Sequence, residues 1–300
     1  MNYRAILIAT AQTLGLFVAG LLHPIGQLLT LFTAVPLIVI YVREGRNNGL
    51  AALGGWHTSA VLLLSFGLMA VGAGEGMRRG MRPEQTALLG GLMPVIVVGA
   101  ALSFYLVKAG KNPVPEIESY LRESIAAAVK TYNDMGLAET ATQITSYAET
   151  IVHYGVRLIP GITIATSVLQ AASSFGIARF FIARKQGTAP ALQQARLSEW
   201  HAPDTWIWGL ITALALVVVP QDAAKVIGWN LSILFGIVYL AQGTAIVDFF
   251  LSKTTNRNFL RGLTIALALI FAPAILFVMV LGVMDIWSDF RKVRTPVLKS

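Results

Sequence analysis

Cysteine is absent from all 300 residues. That excludes a disulfide framework, a thiolate-bound metal and a cysteine nucleophile. Charge is the second scarcity. Asp, Glu, Lys and Arg make up 13% of the chain, against roughly 25% in a typical soluble domain. Acids are the rarer sign, 15 against 23 bases, for a formal net charge of +8. So few charges cannot coat a soluble protein of this length, whereas 55% of the residues are hydrophobic. Lipid must therefore cover much of the exterior. In a soluble protein the excess of base would suit nucleic acid. Here the bases flank apolar runs, where anionic headgroups and membrane orientation favour them, so no nucleic-acid partner is expected. No Walker sequence, Ser-centred elbow or HExxH occurs, and the four histidines, at 23, 57, 153 and 201, lack metal-ligand spacing. No metal, cofactor or enzymatic activity is expected.

The apolar runs set the fold class. A helix needs about 20 mostly apolar residues to cross a hydrocarbon core about 30 Å thick. Ala5 to Val42 is free of charge and suits two helices broken at His23-Pro24. Further uncharged stretches are Asn47 to Gly74, Thr86 to Val107, Leu158 to Ala178, Thr205 to Gln221, Val226 to Val247 and Gly262 to Met284. The expected architecture is all-α: a polytopic transmembrane helix bundle of about eight spans with an amphipathic helical hairpin inserted. It divides into N-terminal transmembrane helices (1–107), the insertion (108–154), C-terminal transmembrane helices (155–284) and a basic interfacial tail (285–300).

Two topologies compete at the third stretch. Asn47 to Met77 can cross as a straight helix, or enter and leave on one side as a re-entrant hairpin turning at Gly54-Gly55, with His57 near its tip. The straight helix is preferred, because re-entrant backbone needs other helices or water around it. Either topology places 13 Lys and Arg on one side and 10 on the other, so the positive-inside rule does not choose.

The insertion opens with Pro113 and Pro115, and Glu116 and Glu118 sit in a first turn where the helix dipole favours acids. Ile117, Leu121, Ile125, Val129 and Tyr132 recur at helical spacing, Gly136 can cap the helix, and a second amphipathic helix runs through Leu137, Ala141, Ile144, Tyr147 and Ile151. A cap resting on the bundle is the simpler reading, since an apolar stripe finds the nearest apolar surface; a partner-binding surface is the other. Polar residues within spans are costly unless paired, which makes each a candidate site. Asn230, Gln242 and His57 are the candidate substrate-binding residues. Gly72, Gly76 and Gly80 recur every four residues, a spacing that lets two helices approach closely.

Three segments carry a family resemblance: SEWHAPDTWIWGL from Ser198, NLSILFGIVYLAQGTAIVDFF from Asn230, and LGVMDIWSDFRK from Leu281. In this order, with the amphipathic insertion ahead of them, they resemble the YybS-like family of bacterial polytopic membrane proteins. That family is distantly similar to the S components of energy-coupling-factor transporters. The resemblance implies a helical bundle in the bacterial cytoplasmic membrane that captures a small solute, with a membrane or ATPase partner protein supplied in trans. The alternative is a scaffold or assembly protein in envelope growth. Within these segments Trp200, Pro203 and Trp206 suit an interface, and Asp285, Asp289, Arg291 and Lys292 suit a stop at the membrane surface or a docking element for a partner.

Overall fold

A computed structural model describes residues 4–5, 8–13, 16, 33–45, 47, 60–186, 197–254 and 272–292. Helices dominate, and no strand occurs among the described residues. In chain order they are α1 (Val35–Arg43), α2 (Ala60–Arg78), α3 (Pro83–Ala109), α4 (Pro113–Asp134), α5 (Ala138–Gln186), α6 (Trp206–Val218), α7 (Asp222–Ser252) and α8 (Ala272–Ser288), with a 3-10 turn at Leu197–Glu199. Among the described residues, three helices, within α3, α5 and α7, are long and apolar enough to cross a membrane, and two shorter apolar helices fall within α6 and α8. The all-α helical membrane bundle is the fold.

Local sequence sets the boundaries. Pro83 starts α3, where a missing amide costs nothing, and Gly110 ends it at φ +62. Asn112 caps α4 by accepting from the Val114 amide. Gly136, at φ +78, closes the turn into α5, as the sequence suggests.

One core gathers Val35, Leu37 and Ile38 of α1, Phe66, Met69 and Ala73 of α2, and Ala171, Phe175 and Ile182 of α5. Small residues on α2 let α3 close up against it. A Cβ at Gly72 would lie 2.7 Å from the Leu89 carbonyl oxygen, and one at Gly76 would lie 2.9 Å from Thr86 Oγ1. Gly80 does not join them; it sits at φ +65 in the α2–α3 turn with open space around it. Tyr41 packs on Gly74 and donates to Glu75 Oε2 at 3.2 Å. That contact brings the C-terminal ends of α1 and α2 side by side. A straight crossing between Arg46 and Arg79 would set those ends apart, so the preferred topology is corrected. The re-entrant alternative puts Arg43 and Arg78 at one end, as found. Its proposed tip, including His57, lies outside the described residues.

The helices α7 and α8 repeat the arrangement. Gly236 lies beside Met279, the Tyr239 carbonyl meets Gly282, and Gln242 bonds to Asp285. All three contacts keep an offset of 43 residues, so the helices run in the same direction. Gly243 meets the Val278 carbonyl in return, and at both glycines a Cβ would collide with backbone. Two spans joined by a simple turn would run oppositely, so Val226 to Val247 and Gly262 to Met284 are not two successive simple crossings.

Among the described residues, the first helix of the insertion packs on α5 and not on the rest of the bundle. α4 packs along the first half of α5 through Leu121 against Gly155, and none of its residues is fully buried. α5 is a single helix of 49 residues, about 74 Å long at about 1.5 Å per residue. Its hydrocarbon-matching part begins near Arg157, so the hairpin stands about 30 Å beyond that level. The expected cap is a projecting arm.

Candidate functional site

The buried polar chemistry concentrates where the three sequence segments meet. α8 ends at Ser288, and Asp289 (φ +38) and Lys292 (φ +52) then turn the chain in the left-handed region. Non-glycine residues there cost on the order of 1–3 kcal/mol each. The left-handed Asp289, which lies between Asp285 and Arg291, carries Arg291 back against the bundle, where its Nη2 donates to Asp285 Oδ2 at 2.9 Å, with both side chains 1% exposed. Asp285 Oδ1 accepts from the Phe290 amide at 3.0 Å, fastening the turn. Arg291 Nη1 donates to the Ser198 and Trp200 carbonyls, each at 2.9 Å. Gln242, fully buried on α7, donates from Nε2 to Asp285 Oδ2 at 3.2 Å and accepts at Oε1 from the Ala202 amide at 3.1 Å. Trp200 Nε1 reaches Glu84 Oε2 at 3.3 Å on the first turn of α3.

This clasp joins α7, α8, the 197–203 segment and the start of α3. A buried ion pair is tolerated only when its Coulomb attraction and extra hydrogen bonds offset desolvation of both ions. Here two backbone carbonyls, a backbone amide and an amide side chain supply those bonds. The reading of Asp285 and Arg291 as surface residues is corrected: both are buried. Asp289 is half-buried, Lys292 is exposed, and Trp206 is at the margin of exposure. Pro203 lends its carbonyl to the Trp206 amide at 3.0 Å and so helps start α6.

Asn230 lies elsewhere, at the opposite end of α7. Its Oδ1 accepts from the Gly161 amide at 2.7 Å, and its Nδ2 donates to the Arg157 carbonyl at 3.0 Å and the Val226 carbonyl at 2.8 Å. Gly161 and Arg157 stand in the i, i−4 relation of a helical hydrogen bond, next to Pro160, which has no amide to give. Asn230 thus stitches α7 to a weak point of α5. Gln242 and Asn230 do not line a common site.

The arm carries different chemistry. Arg122 and Glu149 form an exposed ion pair between α4 and α5, which holds the Glu149 carboxyl below its ordinary range, chiefly through the hydrogen bond itself. Nearer the hairpin turn opens a shallow groove of about 320 Å³, lined by Val129, Asn133, Ala141, Thr142, Thr145 and Ser146. Among the described residues no cluster of His, Asp or Glu could hold a metal ion.

Sequence reasoning missed the roles of Glu84, Ser198 and Ala202. No periodicity joins them to Asp285; tertiary contacts do, Ala202 through Gln242, Ser198 through Arg291, and Glu84 through Trp200.

Comparison with known proteins agrees with this membrane bundle. The family described as "Predicted membrane protein (DUF2232)" matches residues 11–286. The chain belongs to that family. The DUF2232 match takes in the arm, the Asn230 stitch and Asp285 of the clasp, and stops short of Arg291. No curated protein and no solved structure matches the chain.

Proposed function

We propose that this DUF2232 chain is a membrane scaffold that holds a rigid helical arm out of the bilayer for the assembly of a protein complex, without catalysing a reaction. One observation carries the reading. Among the described residues of the C-terminal half, the buried Gln242, Asp285 and Arg291 and the half-buried Asn230 bond to other parts of the chain. Groups committed in this way stabilise a shape; a solute would have to displace them. The unbroken α5 supports the same view, because one helix couples the arm to the bundle with no hinge of loop residues between them.

The competing reading is solute capture, drawn from the likeness to YybS-like proteins and S components. In it Asn230 and Gln242 exchange their present partners for a ligand. A photo-crosslinking residue at Tyr147, 63% exposed on the arm, compared with one at Val218, 81% exposed at the end of α6, separates the two. The scaffold reading expects one recurrent protein adduct from Tyr147 in cells and only lipid from Val218. Absence of that adduct, together with thermal stabilisation by a metabolite that Q242L abolishes, would establish capture instead.

A further inference from the structure

The parallel pairing of α7 with α8, and the meeting of the α1 and α2 ends, show how the described basic residues divide between the two ends of the bundle, a division the sequence left tied. The clasp end gathers the C-termini of α1, α2, α7 and α8, the start of α3 and the far end of α5. α5 runs opposite to α3, with Gly91 beside Val168 and Gly90 beside Ala171. Apart from Arg4, ten of the described Lys and Arg lie at this end. The short α2–α3 connection alone holds Arg78, Arg79 and Arg82, and the last turn of α5 adds Arg184 and Lys185. Six lie at the other end: Lys108, Lys111, Arg157 and Lys225 near the spans, and Arg122 and Lys130 out on the arm.

Short connections close to spans are where excess base orients a membrane protein, because basic residues are retained in the cytosol, while acids and long insertions count for little. By that measure the ends are unequal, and the three arginines of the α2–α3 connection weigh most. We propose that the clasp end faces the cytosol and that the α4–α5 arm stands in the compartment across the membrane. The arm's own charges fit that placement. Its six acids, Glu116, Glu118, Glu123, Asp134, Glu139 and Glu149, outnumber its two bases, so it has no basic surface to draw it to an anionic cytosolic leaflet. The sidedness holds whether or not the arm docks a partner, and its test is independent of that function.

Since the chain contains no cysteine, single cysteines can be placed without altering any other position. Met135→Cys puts one at the exposed tip of the arm, and Arg79→Cys and Lys253→Cys put one each at the clasp end. Full-length protein in intact cells is treated with a membrane-impermeant maleimide, and a parallel sample is treated after permeabilisation. The expected result is that Met135→Cys labels equally in both samples, whereas Arg79→Cys and Lys253→Cys label only after permeabilisation. The reverse pattern, or equal labelling of all three in intact cells, overturns the proposal. A difference between Arg79→Cys and Lys253→Cys would also overturn it, because the two would then lie on opposite sides.

Discussion

The clasp and the arm each contain an Arg–carboxylate pair, and the two pairs do different work. Arg291–Asp285 is sealed from solvent, with both side chains 1% exposed. Arg122–Glu149 is open, at 50% and 77%. A charge sealed from solvent and stripped of its partner has nothing to replace it, whereas an exposed one returns to water. The clasp therefore behaves as a lock for the C-terminal half, and the arm's pair trims a hairpin already held by its apolar seam. Identical chemistry earns no fixed value; position decides it.

The largest break in this contrast is expected from Arg291→Ala, which strands a buried carboxylate and should lower stability by about 3–5 kcal/mol. Reversible unfolding in mixed micelles would measure it, and trypsin should then cut near 197–203. Next comes Gly282→Ala, which forces a Cβ into the Tyr239 carbonyl. Overpacking of this kind costs about 1–3 kcal/mol, and the same titration should show it. Asn230→Ala should cost about 1 kcal/mol, since it leaves the Val226 and Arg157 carbonyls to find other partners. Faster amide exchange around Pro160 and Gly161 would report the lost stitch.

The smallest effect belongs to the arm. Glu149→Gln should leave global stability unchanged within error. Acidification sharpens the point. Because the Glu149 pKa is lowered on folding, its contribution is complete above the unfolded carboxylate pKa, near the ordinary 4.5. It disappears as pH falls through the lower folded value. Exchange of arm amides should rise there in the wild type and be already raised in Glu149→Gln at neutral pH.

The bundle and the arm's two helices were legible in the sequence because hydrocarbon demands long uncharged runs and a helical hairpin needs an apolar stripe of helical period. Pro113, Asn112 and Gly136 mark the arm's turns with residues whose conformational preferences are local. Direction was not legible. Whether neighbouring spans run parallel depends on contacts such as Tyr41 with Glu75 or Gly282 with Tyr239, between residues far apart in the chain. The clasp was half legible. Gln242, Asp285 and Arg291 stood out as polar groups at or near spans, but a separation of six residues between Asp285 and Arg291 places them on different faces of an ideal helix. The left-handed conformation at Asp289 brings them together, and an aspartate does not announce that conformation as glycine would.

The central claim is that the Asp285–Arg291 pair locks the C-terminal half, and a double-mutant cycle tests it directly. Stabilities of Asp285→Ala, Arg291→Ala and the double variant would give their coupling energy, with the Arg122–Glu149 cycle alongside as the exposed reference. A coupling of about 3 kcal/mol or more at the clasp is expected, beside one within measurement error of zero on the arm. A clasp coupling no larger than that of the arm pair would contradict the account.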